Sequence, residues 1–326
     1  MVDKPTVISL FAGCGGSSLG YKLAGYKELL AVEWDDNAVA TFKLNFPGVP
    51  VYHGDIAKLS GSECMKLAGV QVGELDVLDA SPPCQGFSTA GKRKLHDARN
   101  SLFMEFARLL QELQPKAFVM ENVTGLIKGH MKQVYLQMMQ ALRDCGYKVK
   151  GQVLNAMYYN VPQRRERVIV VGVRNDLGVR PSHPKPQTSP IAVKKTSADD
   201  GERFVGTMLK RWHTIPPGGN FKDLPPYLRT SAIYSNAFRK LDGDKPAYTI
   251  PKEAGFTTGT FLHWTEPRYI SQTEIQRIGS FPDTFVFTGN KDVLHGQVGN
   301  SVPPNLMKAI AEHIRDNILQ ATREVA

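Results

Sequence analysis

Short apolar runs alternate with helical patterns over the first half of the chain. Between the apolar runs, apolar residues recur at helical spacing, for example over 100–113 and 132–145. The apolar runs predict strands at 6–11, 29–34, 75–80, 116–120 and 167–173. Strands that alternate with helices favour an α/β fold, in which helices cover both faces of a parallel sheet. Ligands bind such sheets at the carboxyl ends of the strands.

Residues 176–267 follow a different pattern. They hold about half of the chain's 21 prolines and no sustained periodicity, although aromatic residues such as Trp212 and Tyr227 recur. The aromatic residues argue against a disordered linker and favour an irregular insertion or a small second domain. Helical patterns return over 268–326, with a long helix predicted from Pro304 to about Thr322. We therefore expect three parts, 1–175, 176–267 and 268–326.

Composition narrows the class of protein. The 326 residues are 42% hydrophobic and 22% charged, which is ordinary for a chain with a sizeable core. No apolar run approaches the roughly 20 residues of a membrane helix, and no signal peptide is recognisable. The four cysteines form no C-x-x-C pair, which argues against a disulfide scaffold or zinc ribbon. We expect a cytoplasmic protein with no membrane partner.

The charge balance favours a polyanionic partner. Lys and Arg number 40 against 31 Asp and Glu, a net charge of +9. Nucleic acid is one such partner. A basic enzyme that binds no nucleic acid is the alternative that the charge alone leaves open.

A glycine-rich segment, Ser9-Leu-Phe-Ala-Gly-Cys-Gly-Gly-Ser-Ser-Leu-Gly20, follows the first predicted strand. Glu33 ends the next strand, where an acid can accept hydrogen bonds from ribose hydroxyls. Asp55, in His53-Gly-Asp-Ile56, could accept from an adenine amino group. Ser18 stands where the G-x-G-x-x-G fingerprint requires its third glycine, which disfavours NAD. The pattern predicts a nucleotide-like ligand, with a ligand-free glycine turn as the alternative.

Two reactive groups follow later strands. In Ser81-Pro-Pro-Cys-Gln-Gly-Phe-Ser88, two prolines present Cys84 at a strand end, which favours a nucleophilic thiol over a packed one. In Met120-Glu-Asn-Val123, Glu121 lies where strand gives way to loop. Partial desolvation would raise the pKa of its carboxyl group and suit it to proton donation. A solvated loop acid is the alternative for Glu121.

Two basic segments follow Cys84 in the sequence, one before Glu121 and one after it. Strand alternation places Gln163, Arg165 and Arg167 on one side of Gln163-Arg-Arg-Glu-Arg-Val168, opposite Arg164 and Glu166. The loop after Cys84 could clamp phosphates, or be a plain solvated loop. Its basic residues are Lys92, Arg93, Lys94 and Arg99. A further motif, Gln297-Val-Gly-Asn-Ser-Val-Pro-Pro304, precedes the last predicted helix, whose first turn accommodates proline.

The order of these motifs resembles that of the DNA cytosine-5 methyltransferase family, of the prokaryotic modification type. F-A-G-x-G-G, E-W, G-D-I, P-P-C-Q-x-F-S, E-N-V, Q-R-R-x-R and G-N-S-V-P-P occur in that order over 7–175 and 268–310. The resemblance implies a Rossmann-like sheet that binds S-adenosylmethionine, and a smaller, irregular target recognition domain at 176–267. Ser9 departs from the pattern, since many members have Asp there.

The resemblance also implies residue roles. Cys84 would be the nucleophile, and Glu121 and Arg165 would hold the flipped cytosine, with Gln163 and Arg167 in support. The loop with Lys92, Arg93, Lys94 and Arg99 would close over the DNA. The S-adenosylmethionine pocket would be formed by Phe11, Gly13, Gly16, Glu33, Trp34, Asp55, Ile56, Pro83, Asn300 and Val302. No metal is expected.

The expected function is methyl transfer to C5 of a cytosine flipped out of duplex DNA, through a covalent Cys84 adduct at C6, with S-adenosylhomocysteine as product. We expect a monomer that associates with the nucleoid when bound to DNA, paired with a restriction endonuclease of the same specificity. A tRNA cytosine-5 methyltransferase and a non-catalytic DNA-binding homologue are the main alternatives. Gln85-Gly-Phe-Ser88 favours DNA over tRNA, and the intact set of reactive residues argues against a silent binder. An NAD-dependent oxidoreductase is a more distant alternative.

Overall fold

The computed structural model of the protein describes residues 4–83, 101–129, 131–229, 238–252 and 261–325. Its strands are β1 (Thr6–Leu10), β2 (Lys27–Glu33), β3 (Val51–His53), β4 (Val77–Ala80), β5 (Ala117–Val123), β6 (Tyr147–Asn155), β7 (Gln163–Arg164), β8 (Glu166–Arg174) and β9 (Ala247–Tyr248). Seven of them form one sheet in the order β3-β2-β1-β4-β5-β8-β6, while β7 pairs with β9 in parallel. The predicted α/β class is confirmed.

The strand order reverses once within the parallel part of the sheet. β1, β2 and β3 proceed in one direction, and β4 and β5 then follow on the other side of β1. All pairs among these five strands are parallel, so their carboxyl ends share one edge. This reversal, between β1 and β4, is where doubly wound sheets bind ligands.

The last two strands correct the expectation of a fully parallel sheet. β8 is antiparallel to both β5 and β6, and the sequence did not predict β6. Lys148 and Lys150 interrupt the apolar pattern of β6, which lies at the edge of the sheet, where charged side chains protect an unpaired strand. An edge strand therefore lacks the continuous apolar run by which the central strands were predicted.

Helices occupy most of the connections. They are α1 (Gly16–Leu23), α2 (Asp36–Asn45), α3 (Gly61–Ala68), α4 (Ser101–Leu113), α5 (Met131–Asp144), α6 (Gly206–Thr214), α7 (Gln272–Ile278), α8 (Lys291–Asn300), α9 (Pro304–Ile314) and α10 (Gln320–Val325). All four residues of β4 are buried, so both faces of the sheet are covered there, because successive side chains point to opposite faces. The predicted helices at 100–113 and 132–145 correspond closely to α4 and α5.

The long helix predicted from Pro304 to Thr322 is interrupted. α9 ends at Ile314, a π-helical turn spans Arg315–Leu319, and α10 follows. At the start of this turn, the Arg315 guanidinium donates to the carbonyl oxygen of Ala24. Within the described ranges, no helix combines the length and the apolar character that a membrane crossing needs.

The chain divides into two compact units. The first unit comprises Met1–Asn155, Glu166–Lys185 and Met307–Ala326, and it contains the seven-stranded sheet. The second unit comprises Ala156–Arg165 and Pro186–Leu306. These limits differ from the boundaries expected at 176 and 268, because the second unit includes Ala156–Arg165 and continues to Leu306.

Polar groups as well as apolar ones organise the core of the second unit. The buried Arg268 guanidinium forms ion pairs with Glu274 at 2.8 Å and with Glu266 at 2.7 Å. The buried Lys240 ammonium lies 3.5 Å from the centre of the Trp212 ring and donates to the Trp212 carbonyl at 3.1 Å. Such contacts fix a region that lacks the periodicity of regular helices and strands.

A cluster of polar groups is buried beneath α1 in the first unit. Burial raises the pKa of Asp79 on β4 to about 7, and it raises the pKa of Glu28 on β2 to about 8. The Tyr21 hydroxyl donates to Asp79 at 3.4 Å, and the Ser18 hydroxyl donates to that of Ser9 at 3.3 Å. Ser9, the departure from the family pattern, thus belongs to a buried polar cluster that contains two carboxyl groups.

Replacing Asp79 with Asn should weaken the pH dependence of stability. Between an unfolded carboxyl pKa of about 4 and the folded value of about 7, the folded state keeps a proton that the unfolded chain has lost. The free energy of unfolding therefore falls as the pH rises through this range. Asn does not titrate, so the slope should decrease by about 1 kcal/mol per pH unit.

Urea denaturation between about pH 5 and pH 7 measures this slope. Asp144→Asn, which removes an exposed carboxylate from α5, is the control and should leave it nearly unchanged. An Asp79→Asn variant with the slope of the unmodified protein would contradict the assignment.

Candidate active site

The glycine-rich loop after β1 adopts an unusual backbone. Phe11 and Gly13 each have φ +56°, and Gly15 has φ +100°. A left-handed phenylalanine is uncommon and marks a locally strained, tightly specified turn. The Ala12 N–H donates to the Val32 carbonyl at 3.1 Å, which ties the loop to β2. A Cβ built on Gly13 would meet nothing within 4 Å, so open space lies beside this loop before α1 begins at Gly16.

Glu33 at the end of β2 organises this edge of the sheet. Its Oε2 accepts from the Gly13 N–H at 2.8 Å, and its Oε1 accepts from the N–H groups of Trp34 at 2.8 Å and Asp35 at 3.0 Å. A carboxylate offers about four acceptor positions, so one remains for a ligand hydroxyl. The Trp34 side chain, which follows Glu33 directly in the sequence, is 78% exposed.

Asp55 follows β3 and begins a short helical turn, Ile56–Lys58. Its Oδ1 accepts from the Ala57 N–H at 3.0 Å, while Oδ2 makes no hydrogen bond to the described part of the chain. The Ile56 side chain belongs to the hydrophobic core of the unit. The arrangement gives Asp55 a fixed carboxylate with one oxygen available at the same edge as Glu33.

The ends of β4 and β5 are joined by a side-chain contact. Asn122 Nδ2 donates to the Pro82 carbonyl at 3.1 Å, and Asn122 Oδ1 accepts from the Val123 N–H at 2.8 Å. Pro82 is buried, whereas Pro83 is exposed. Asn122 belongs to the Met120-Glu-Asn-Val123 motif, and no role was predicted for it. A short amide side chain directly after Glu121 at a strand end was the available signal.

Five of the candidate residues lie outside the described part of the chain. They are Cys84, Lys92, Arg93, Lys94 and Arg99. Their assignments stay predictions from sequence.

Glu121 on β5 is paired with Arg167 on the neighbouring strand β8. The distance between Arg167 Nε and Glu121 Oε1 is 2.7 Å, and the two side chains are only 13% and 10% exposed, respectively. Arg167 also donates to the Glu166 carbonyl at 2.8 Å. The pair places a carboxyl group and a guanidinium group side by side, one residue before Asn122 and its contact with Pro82.

Gln163 and Arg165 lie in the second unit, where both side chains are about 1% exposed. The Arg165 guanidinium donates to the carbonyl oxygens of Ile250 at 3.2 Å, Gly299 at 2.8 Å and Ser301 at 2.9 Å. The predicted alternation is present in the burial, since Arg164 and Glu166 are exposed. The residues nevertheless belong to two strands, β7 and β8, and Arg167, not Arg165, is the partner of Glu121.

Asn300 and Val302 also belong to the second unit. Asn300 is the exposed last residue of α8, and Val302 is 3% exposed. Between them, the Ser301 N–H donates to the Gln297 carbonyl at 3.1 Å and ends the helix. Among the residues that the structure describes, no group of three or more His, Cys, Asp or Glu side chains could hold a metal ion.

Comparison with known proteins gives consistent matches along the chain. A model of the family described as C-5 cytosine-specific DNA methylase matches residues 5–316. The Type II methyltransferase M1.HphI of Haemophilus parahaemolyticus is 36% identical over 95% of this chain and 86% of that protein. The Type II methyltransferase M.Eco47II of Escherichia coli is 34% identical over 96% of this chain and 80% of that protein.

Solved structures support the same fold. A protein described as a DNA modification methyltransferase encoded within an E. coli prophage has a TM-score of 0.75 and 26% identity, over 97% of this chain and all of that one (100%). A DNMT2 variant of Spodoptera frugiperda has a TM-score of 0.69 and 18% identity, over 98% of this chain and 100% of that one. At 18% identity, the second likeness concerns the fold alone.

Replacing Arg167 with Met should destabilise the protein by about 3 kcal/mol, because the nearly buried Glu121 carboxylate then loses its cation. In the double variant Glu121→Gln, Arg167→Met, both charges are gone and part of this cost should be recovered. The double variant should be less destabilised than the sum of the single variants by at least about 1 kcal/mol.

Urea denaturation of the four proteins gives this coupling energy. The more exposed Lys308–Glu312 pair, 3.7 Å apart, is the control and should couple by less than about 0.5 kcal/mol. Additive effects at Glu121 and Arg167 would be inconsistent with a paired site.

Proposed function

The chain belongs to the C-5 cytosine-specific DNA methylase family, and from this premise we propose that it transfers the methyl group of S-adenosylmethionine to C5 of a cytosine flipped out of duplex DNA. It is a DNA cytosine-5 methyltransferase of the kind found in Type II restriction–modification systems. The observation that carries the finer proposal is the Glu121–Arg167 pair, which lies on the strands beside the loop that leads to Cys84.

The residues at the ends of β1, β2 and β3 fit the nucleoside part of S-adenosylmethionine. Glu33 retains one acceptor position for a ribose hydroxyl, Trp34 offers an exposed ring for the adenine, and Asp55 has an oxygen for the amino group. Gly13 borders open space for the ligand. When bound, S-adenosylmethionine supplies an electrophilic methyl group.

The remaining pocket assignments come from the family resemblance. Phe11 and Gly16 would line the ligand from the glycine-rich loop, and Pro83 would do so from the loop after β4. Asn300 and Val302 are assigned to cofactor binding by the same resemblance. Ile56 packs in the core, so we propose that it supports Asp55 from below.

The chain's own chemistry begins at Cys84. Its thiolate adds to C6 of cytosine, the ring electrons move toward N3, and C5 becomes nucleophilic. Glu121 would deliver a proton to N3 as this charge develops, and a proton taken up from solvent would balance the step. After methylation, N3 gives up that proton and a base takes the C5 proton. The C6–S bond then breaks, which restores the ring and the thiolate.

Arg167 is the better candidate for the group that holds cytosine O2. It is already beside Glu121, so the two side chains can engage one edge of the same base. The Arg165 guanidinium donates to three backbone carbonyls, so its hydrogen bonds hold the protein backbone and not a ligand. The family resemblance implied that Arg165 holds the cytosine and that Arg167 supports it. We propose the reverse, with Arg167 at the cytosine and Arg165 in support.

The reacting atoms of cytosine are inaccessible inside a duplex, so the base must leave the stack. We propose that Lys92, Arg93, Lys94 and Arg99 contact the DNA backbone around the flipped nucleotide. The irregular region within 176–267 would read the target site, and a restriction endonuclease of the same specificity would be the functional partner.

A tRNA substrate is less well supported than DNA. The two relatives described above are Type II methyltransferases at 36% and 34% identity over most of the chain. The likeness to DNMT2, at 18% identity, carries no substrate information. These identities favour a DNA substrate.

Duplex DNA that contains 5-fluorocytosine at the target should trap the Cys84 adduct. Fluorine cannot leave C5 as a proton does, so the C6–S bond persists after methyl transfer. With S-adenosylmethionine present, the unmodified protein should give a covalent band on a denaturing gel. Cys84→Ala should give none, while still shifting the duplex in a native gel.

Cys145→Ala is the matched control, since it removes a partly buried thiol elsewhere, and it should retain the covalent band. A band formed by Cys84→Ala would rule out Cys84 as the nucleophile.

Glu33→Gln should weaken binding of S-adenosylhomocysteine by about tenfold or more, because one acceptor oxygen becomes an amide donor that faces other donors. Isothermal titration calorimetry without DNA measures the dissociation constant. Glu74→Gln is the control, because exposed Glu74 also accepts from a backbone N–H, that of Gln71 at 2.7 Å. Equal affinities of Glu33→Gln and the unmodified protein would remove Glu33 from the ligand site.

A further inference from the structure

Two buried side chains hold both backbone polar groups of Ile250. Gln163 Oε1 accepts from the Ile250 N–H at 3.2 Å, and Arg165 donates to the Ile250 carbonyl at 3.2 Å. Gln163 Nε2 also donates to the Ile278 carbonyl at 3.3 Å. In all three contacts the partner is a backbone group, so these two buried polar side chains hold the backbone in place.

The same guanidinium reaches a second segment of the chain. Arg165 Nη2 donates to the carbonyls of Gly299 at 2.8 Å and Ser301 at 2.9 Å, at the C-terminal end of α8. A cation is favourable at this end of a helix, and hydrogen bonds from a charged donor are stronger than neutral ones. One side chain therefore joins Ile250 to the segment that contains Asn300.

The backbones of these two segments also touch directly. A Cβ built on Gly299 would overlap the carbonyl group of Pro251 and would lie 2.8 Å from the Lys252 nitrogen. A Cβ built on Gly296 would lie 3.3 Å from the Lys252 carbonyl oxygen. Only a glycine at 299 permits this approach, so the contact is built into the sequence of α8.

Strand pairing secures the preceding residues of the same segment. Gln163 pairs with Ala247 and Arg164 with Tyr248, and the Thr249 hydroxyl donates to the Arg164 carbonyl at 2.8 Å. Residues 247–252 are thus held along their whole length by the chain around Gln163–Arg165 and by α8.

We propose that Gln163 and Arg165 are positioning residues that hold residues 247–252 of the recognition region and residues 299–301 in one fixed arrangement. The proposal rests on the proposed function, in which Asn300 and Val302 contribute to cofactor binding and the recognition region binds DNA. One guanidinium then supports both binding events without touching either ligand. Substitution of Arg165 should therefore weaken the binding of both the cofactor and DNA. If Arg165 instead contacted cytosine directly, its substitution would lower catalysis and leave cofactor affinity intact.

The test compares Arg165→Lys with Arg164→Lys, the same change on the exposed neighbour. A lysine ammonium lacks the planar fork of donors that spans the three carbonyls. Arg165→Lys should raise the dissociation constant of S-adenosylhomocysteine, measured by calorimetry without DNA, by about tenfold, and should raise the KM for DNA by a similar factor. Arg164→Lys should leave the dissociation constant within about twofold of the unmodified protein.

Gly299→Ala tests the same joint without removing any donor, and it carries the test if Arg165→Lys fails to fold. It should also raise the dissociation constant of S-adenosylhomocysteine and the KM for DNA, because the added methyl group separates α8 from Pro251. The inference is overturned if either folded variant keeps both constants, or if kcat falls while S-adenosylhomocysteine affinity is unchanged. If the unmodified protein methylates no DNA, the proposed function fails, and the calorimetric comparison still decides the role of Arg165.

Discussion

The reversal of strand order between β1 and β4 is the constraint on which the rest of this molecule depends. Because β1 to β5 are parallel, their carboxyl ends lie at one edge, and the reversal of strand order there is where doubly wound sheets bind ligands. The polar groups at this edge then reinforce one another. Glu33 orders the glycine-rich loop through the Gly13 N–H, and Asn122 ties the end of β5 to Pro82. Glu33, the glycine-rich loop and Pro82 thereby lie at one edge of the sheet.

Two arginines, separated by one residue, serve different purposes. Arg167 meets a carboxylate across neighbouring strands, and this pairing keeps a charged group available in a nearly buried place. Arg165 donates instead to backbone carbonyls of Ile250, Gly299 and Ser301. The difference arises because the chain leaves one strand pair after Arg164 and joins the large sheet at Glu166. Arg165, between the two strands, is enclosed by backbone, whereas Arg167 on β8 faces Glu121 on the neighbouring strand.

Much of the first unit could be predicted from sequence, because its central strands are uninterrupted apolar runs and its helices carry strong apolar periodicity. The edge strand β6 was missed, since its lysines erase that signal. The roles of Arg165 and Arg167 could not be separated, because strand alternation places both on one side and only tertiary contacts distinguish carbonyl partners from a carboxylate. The structure of the second unit was equally inaccessible, since buried ion pairs such as Arg268–Glu274 leave no periodic trace. Cys84 and the basic loop after it remain predictions.

The most direct test of the account is methyl transfer from radiolabelled S-adenosylmethionine to unmethylated genomic DNA and, in parallel, to bulk tRNA, followed by bisulfite sequencing of the labelled nucleic acid. The account predicts that label enters DNA alone, at the C5 position of a cytosine within one short recurring sequence. Label that enters tRNA alone, or DNA at a position other than cytosine C5, would contradict it.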